Sequence, residues 1–279
     1  MAATVAGKAP KLTGTPTGIT NMKNNKSLGQ HWLKDREILD EIANLALPDA
    51  PLDPLEAPNE PLCLEIGPGL GTLTSALLRV FPRVLAIEFD ENLAKNLPKS
   101  FPGKDLKVVN ADFLDFDLSK ISEPYVVAGN IPYYITSPII AKLLTAEHPP
   151  LKFVLLMQKE VAERILAEKG DYTYLSIFVQ SYADVYPGPV VPKGYFTPPP
   201  KVDSAVVVFK PHAPLLAEKE LKFIKLGFSS PRKKLVKNLP YNREEVQNAL
   251  LKLGISENAR PADLSLNDWK SLAKTLKVL

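Results

Sequence analysis

From residue 61 onward, short unbroken apolar runs alternate with segments whose apolar positions recur every three to four residues. The runs fall at residues 62–66, 84–88, 106–109, 125–128 and 153–157. Each is short and apolar enough for a strand buried on both faces. The segments between them, at 73–81, 91–99, 138–145 and 159–167, carry helical spacing. This alternation predicts an α/β fold built on a parallel, doubly wound sheet.

Upstream, Asp35 stands where an N-cap would, followed by Ile38, Leu39, Ile42, Ala43, Leu45 and Ala46 at helical intervals. Residues 48–61 hold five prolines among acids, which reads as an extended, solvated loop. Downstream, residues 176–185 and 204–209 read as a late strand pair closing the sheet, with a proline-rich loop between them. From Pro211 the pattern is helical, at 219–227, 232–238, 243–253 and 266–277. The predicted organisation is a flexible tail over 1–25, a sheet domain over 26–210 and a smaller all-α domain over 211–279.

Composition changes this picture little. The chain has 279 residues, 45% hydrophobic and 23% charged, which suits a globular protein with an ordinary core. No run of eighteen apolar residues occurs, so no membrane span is expected. Residues 1–22 lack the apolar centre of a secretory signal. Cys63 is the single cysteine, which fits a reducing, cytoplasmic setting. With three histidines, little material is left for a zinc site, and no metal is expected. The net charge of +3 is mild, but seven basic residues lie within 219–237 against one acid, Glu220. That run is either a solvated helix face or a contact for nucleic-acid phosphates.

Candidate chemistry begins after the first strand, at Glu65-Ile66-Gly67-Pro68-Gly69-Leu70-Gly71. Its glycines allow a tight turn and close approach of a ligand to the backbone. Alone it could be a dinucleotide fingerprint or a plain βα turn. Two acids add to it. Glu88 ends the second strand, where a carboxylate can accept from ribose hydroxyls. Asp112 follows the third, placed to accept from an exocyclic amino group, with Phe113 near the purine face. There is no phosphate-cradling Gly-x-x-x-x-Gly-Lys-Ser/Thr, and Pro68 removes a backbone donor that a phosphate would use. A ligand with ribose and adenine but no phosphate suits these residues, and S-adenosylmethionine is one.

The fourth strand runs into Ala128-Gly129-Asn130-Ile131-Pro132-Tyr133-Tyr134-Ile135-Thr136-Ser137-Pro138. This is either a strand-ending turn with two buried tyrosines or a site presenting acceptors beside an aromatic face. In the second case, the Asn130 side-chain oxygen and the Ile131 carbonyl would accept from the amine of a base. Pro132 would fix the turn, and Tyr133 would stack the base. Tyr134 is read as packing or a cofactor-side wall.

The motifs 64-Leu-Glu-Ile-Gly-Pro-Gly-Leu-Gly-Thr-Leu-Thr-74 and 129-Gly-Asn-Ile-Pro-Tyr-Tyr-Ile-Thr-Ser-Pro-Ile-Ile-140 resemble those of the KsgA family of ribosomal RNA adenine dimethyltransferases. Residues 27–35, 196–206 and 260–265 resemble three further segments of that family, so the likeness spans about 26–279. It implies a Rossmann-like S-adenosylmethionine-dependent methyltransferase sheet with a helical C-terminal RNA-binding domain. It implies that Gln30, His31 and Leu33 line the cofactor. Gly67 and Gly69 would lie against its methionine portion, Glu88 on its ribose and Asp112 on its adenine amine. Asn130 would touch both cofactor and target amine, and Tyr133 and Phe196 would hold the target adenine between rings. The family usually has Gln-Asn-Phe-Leu where this chain has Gln30-His31-Trp32-Leu33, and residues 48–61 exceed what it needs.

The implied activity is N6-dimethylation of two adjacent adenines in a small-subunit rRNA hairpin loop, by a monomer acting during subunit maturation. Two other readings stay open. One is the macrolide-resistance relative that modifies large-subunit rRNA; the other is a ribosome-assembly factor that binds without catalysis.

Overall fold

The computed structural model describes residues 31–49 and 61–278. Gln30, the expected N-terminal tail and most of the proline-rich stretch lie outside the described residues. Helix α1 (Arg36–Leu45) starts where the sequence places it, with the Asp35 carboxylate accepting from Ile38 N at 3.0 Å. A two-residue strand, β1 (Trp32–Leu33), precedes it. The strands of the main sheet follow as β2 (Leu62–Ile66), β3 (Arg83–Glu88), β4 (Asp105–Asn110), β5 (Tyr125–Asn130) and β6 (Lys152–Gln158). Between and after them run α2 (Thr72–Val80), α3 (Glu91–Asn96), α4 (Thr136–Leu144) and α5 (Lys159–Ile165).

Strands β2 to β6 pair in parallel. The spatial order is β4-β3-β2-β5-β6, so the chain builds outward from β2 and then returns to its other side with β5. The crevice between the carboxyl ends of β2 and β5 is the topological switch point, where open α/β sheets bind ligands. Both faces of the sheet are covered. Leu64, Ile66, Val127, Phe153 and Leu155 pack on one side. Cys63, Val126, Ala128, Val154 and Leu156 pack on the other. Alternate residues of one strand thus enter different cores, which is why these strands read as unbroken apolar runs.

The late strand pair is corrected by the structure. Residues 174–180 form helix α6 (Tyr174–Gln180), started by a reciprocal cap between Thr173 and Ser176. Strand β7 (Ala183–Val191) begins later and runs through Pro187, Gly188 and Pro189, which the sequence places in a loop. It tolerates them because β7 is the sheet edge, and its register shifts between Pro187 and Val190. A two-residue strand, β8 (Phe196–Thr197), pairs antiparallel with β1. Strand β9 (Ser204–Pro211) then lies antiparallel between β6 and β7.

After Pro211 come α7 (Glu218–Gly227), α8 (Arg243–Lys252) and α9 (Leu266–Thr275). The helix expected over 232–238 is a single 3-10 turn, Leu235–Lys237, because Pro231 and Pro240 bracket a span too short for more. These helices close their own core around Trp269, Phe223 and Leu250, and Ile177 of α6 belongs to it. The helical segment is therefore joined to the sheet through α6 as well as through the chain.

Candidate functional site

A cavity of about 240 Å³ opens at the carboxyl ends of β2, β3 and β5. Its floor is the turn after β2. Gly67, Gly69 and Gly71 all have positive φ, of 64°, 56° and 82°, which L side chains rarely adopt. They do different work. A Cβ on Gly67, which lines the cavity, would meet nothing within 4 Å, so its bare backbone leaves room for a ligand. Gly69 lies under the Trp32 indole, 3.1 Å from where its Cβ would be. Gly71 faces away from the cavity, and a Cβ there would come within 2.6 Å of Leu97 and 2.9 Å of Phe101. Gly71→Ala is therefore expected to cost roughly 2–4 kcal/mol of stability from overpacking and left-handed strain. The measurement is the urea midpoint at unchanged slope; a loss below about 0.5 kcal/mol would refute the packing argument.

Glu88 ends β3 with 5% of its surface exposed. Its Oε2 accepts from Gly69 N at 2.9 Å and its Oε1 from Asp90 N at 2.8 Å. These bonds aim the carboxylate, and each oxygen keeps a lone pair for a ligand hydroxyl. Burial raises its pKa, against the lowering by those two N–H groups. Asp112 turns one oxygen to Leu114 N at 2.8 Å and lines the cavity between Ala111 and Phe113. Phe113 is buried; the exposed ring beside the acids is Phe89, at 60%. Pattern reading missed Phe89, although its signal was present as an apolar residue directly after a strand-end acid. A ribose, an adenine amine and an adenine face thus each find a partner of the right chemistry, and S-adenosylmethionine fits the residues present.

Glu65 was also missed. It is 1% exposed and lines the cavity. Thr74 Oγ1 donates to its Oε2 at 2.6 Å, while Oε1 has no hydrogen-bond partner. Burial pushes its pKa up from 4.5 to about 8, with the neighbouring Glu88 charge adding to the rise. A charged residue within an apolar parallel strand was the available signal.

The acceptor side of the site is formed where β5 ends. Asn130 Nδ2 donates to the His31 backbone carbonyl at 3.0 Å. Only the amide nitrogen can donate, so that bond leaves Oδ1 for the cavity that both residues line. The Ile131 carbonyl accepts no hydrogen bond among the described residues. Tyr133 is half-buried; its hydroxyl shares a 2.8 Å hydrogen bond with Ser204 Oγ. Burial raises its pKa, against the lowering by the Ser204 hydrogen bond.

Other expected positions fall differently. His31 lines the cavity, and its Nδ1 bonds the Pro198 carbonyl at 2.8 Å. Its ring lies 6.0 Å from that of Tyr133 at 20°. Leu33 and Phe196 are register partners in the β1–β8 pair, at 0% and 3% exposure, and both enter the apolar core. Phe196 is thus not a cavity wall, and the ring that faces Tyr133 is His31. The physical reason is the β1–β8 pairing, which turns both side chains inward while binding the N-terminal segment to the 196–198 loop. Of the two places expected for Tyr134, the structure shows the second: it is 66% exposed and lines the cavity instead of packing.

The ribosomal RNA adenine dimethylase family matches residues 21–277 of this chain. The chain belongs to that family. It is an S-adenosylmethionine-dependent rRNA adenine dimethyltransferase, and rRNA is its substrate. A curated relative from Trichormus variabilis, named ribosomal RNA small subunit methyltransferase A, is 40% identical over 278 residues, covering 92% of this chain and 99% of that protein. Among solved structures, a dimethyladenosine transferase from Plasmodium falciparum superposes with a TM-score of 0.71 at 28% identity, covering 88% and 97% of the two chains. The 23S rRNA methyltransferase ErmE superposes with a TM-score of 0.68 at 30% identity, covering 88% and 99%. The expected fold is borne out: the dimethyltransferase has a parallel-rich methyltransferase sheet with a helical C-terminal segment. Among its described residues, no helix is long and apolar enough to cross a membrane.

Proposed function

We propose that this dimethyltransferase acts on the small ribosomal subunit during its maturation, converting two adjacent adenines of a hairpin loop near the 3′ end of the rRNA to N6,N6-dimethyladenine. The observation that carries the chemistry is the pair of acceptors after β5, Asn130 Oδ1 and the Ile131 carbonyl, which receive no hydrogen bond among the described residues and lie beside the cofactor cavity. The lone pair of an adenine amine is delocalised into the ring, so the nitrogen is a poor nucleophile. Acceptors on its two N–H bonds favour a more tetrahedral nitrogen with that pair available. The cofactor supplies a methyl group on a sulfonium, already a strong donor. The protein's part is positioning, which can contribute most of the rate. Asn130 and Ile131 hold the amine, and Tyr133 stacks the base.

Loop bases suit this site because they cost less to unstack. The small subunit is favoured over the large by the name and near-complete coverage of the 40% identical relative. Segment 211–279 serves as the RNA-binding domain, with Lys219, Lys225, Arg232, Lys233 and Lys237 exposed along it. Lys222 is partly neutralised by Glu218 at 2.6 Å, so the run is less basic than its composition suggests. The enzyme works as a monomer in the cytoplasm, where a single buried thiol stays reduced.

The test is incubation with labelled S-adenosylmethionine and unmethylated small or large subunits, followed by mapping of the modified bases. Dimethyl label on adjacent small-subunit adenines is expected. Label in large subunits alone overturns the substrate assignment, and binding without label favours an assembly factor.

A further inference from the structure

Tyr134 lines the cavity at its rim, yet it is an unusual residue to leave on a surface. It sits in the 3-10 turn Tyr133–Ile135 that leads into α4. Two-thirds of its side chain faces solvent at the mouth of the cavity. Tyr133, one residue earlier, makes a hydrogen bond to Ser204 and a ring contact with His31. Tyr134 makes neither kind of contact among the described residues. An exposed ring of this size, held on a short turn next to the base-stacking residue, gains nothing from the protein's own core.

The segment between β7 and β9 is linked to the residues beside this turn. It is tied to the Tyr133 side by the Tyr133–Ser204 bond and by His31 Nδ1 on the Pro198 carbonyl. Its exposed residues include Lys193, Lys201 and Tyr195, the last at 46%. Neither lysine belongs to an ion pair found among the described residues. The one nearby acid with a defined partner, Asp203, accepts from Lys193 N at 3.0 Å and so caps the turn. Exposed rings and cations without an ion pair among the described residues, on a segment tied to the cavity residues His31 and Tyr133, form the combination that holds single-stranded nucleic acid: rings stack bases, and cations follow the phosphates.

We propose that Tyr134 is the stacking platform for the nucleotide next to the target adenine, and that Lys193 and Lys201 hold the flanking phosphates. This rests on the rRNA reading above and assigns that substrate a second contact surface, continuous with the catalytic cavity and separate from the basic run in 219–237. The arrangement would keep a two-adenine loop splayed, with one base against Tyr133 and its neighbour on Tyr134.

The experiment uses the full-length enzyme with unmethylated small subunits, and in parallel a fluorescent single-stranded RNA carrying two adjacent adenines. Tyr134→Ala should raise KM for subunits and Kd for the oligonucleotide about ten-fold, as for one lost base stack. Tyr134→Phe and Tyr134→Trp should stay within two-fold of the parent. S-adenosylmethionine Kd should not change. Lys193→Glu with Lys201→Glu should flatten the salt dependence of oligonucleotide binding by one to two phosphate contacts. Unchanged RNA affinity in Tyr134→Ala overturns the platform, as does a Phe variant as weak as Ala or a parallel loss of cofactor affinity. An unaltered salt slope in the double variant overturns the phosphate contacts. If the parent modifies no small subunits, the substrate reading fails by itself, and the oligonucleotide binding still decides the platform.

Discussion

Asn130→Ala is expected to lower kcat for adenine methylation by about 10²–10³-fold, the usual consequence of losing one preorganised polar contact to a reacting group. The geometry makes the loss selective. The amide is locked through Nδ2 to the His31 carbonyl, which leaves its oxygen for the amine in the role proposed above. Alanine removes both the acceptor and the tie to the β1 segment, but leaves Glu88 and Asp112 in place for the cofactor. Cofactor affinity should therefore fall less than ten-fold. Asn130→Asp keeps an acceptor yet turns the locking donor into a second acceptor facing a carbonyl, so it should not rescue the rate. Single-turnover kinetics with labelled methyl donor, alongside calorimetric cofactor binding, separates the two effects. An unchanged kcat with only a raised KM would mean that Asn130 binds without assisting the chemistry.

The second large effect concerns Glu65 and pH. Its pKa in the folded chain is about 8, raised chiefly by burial from an ordinary 4.5. Between those values the folded state holds a proton that the unfolded chain has released. Stability is thus fully present below about pH 4.5 and falls as pH rises toward 8, by at most roughly 5 kcal/mol. Glu88, whose own pKa is raised, and the buried Cys63 thiol are close enough to couple to it. Glu65→Gln keeps the acceptor for Thr74 and cannot ionise. It should match the parent near pH 5 and exceed it in urea midpoint by an amount that grows up to about pH 8 and levels off above it. Parallel stability–pH curves for the two proteins would show that Glu65 does not titrate in this range.

Residues 62–66, 84–88 and 125–128 could be read as strands because they are buried on both faces, so their composition alone marks them. Asp35 could be read as a cap because it needs only the next three residues. The span 174–180 could not, since Leu175, Ile177, Phe178 and Val179 suit a strand as well as a helix; its register was settled by the Thr173–Ser176 cap and by packing of Ile177 against the C-terminal core. For the site, Glu88, Asp112 and Asn130 are legible because they follow strand ends that the sheet must gather at one edge. Phe196 and Tyr134 are not. Their local sequences say only aromatic; for Phe196, whether it faces a core or a cavity depends on its distant partner Leu33.

The sequence by itself determined the alternation of strands and helices, the glycine turn, the two carboxylates beyond it and the amide–proline–tyrosine end of β5. These follow from spacing and side-chain chemistry within a few residues. Only the tertiary structure decided that β1 closes on β8 across 160-odd positions of chain, as in the Leu33–Phe196 register pair. That closure puts the His31 carbonyl where it orients Asn130, and it buries Phe196. The reason is physical: a hydrogen bond or a buried face between remote segments exists only once the sheet has brought them together.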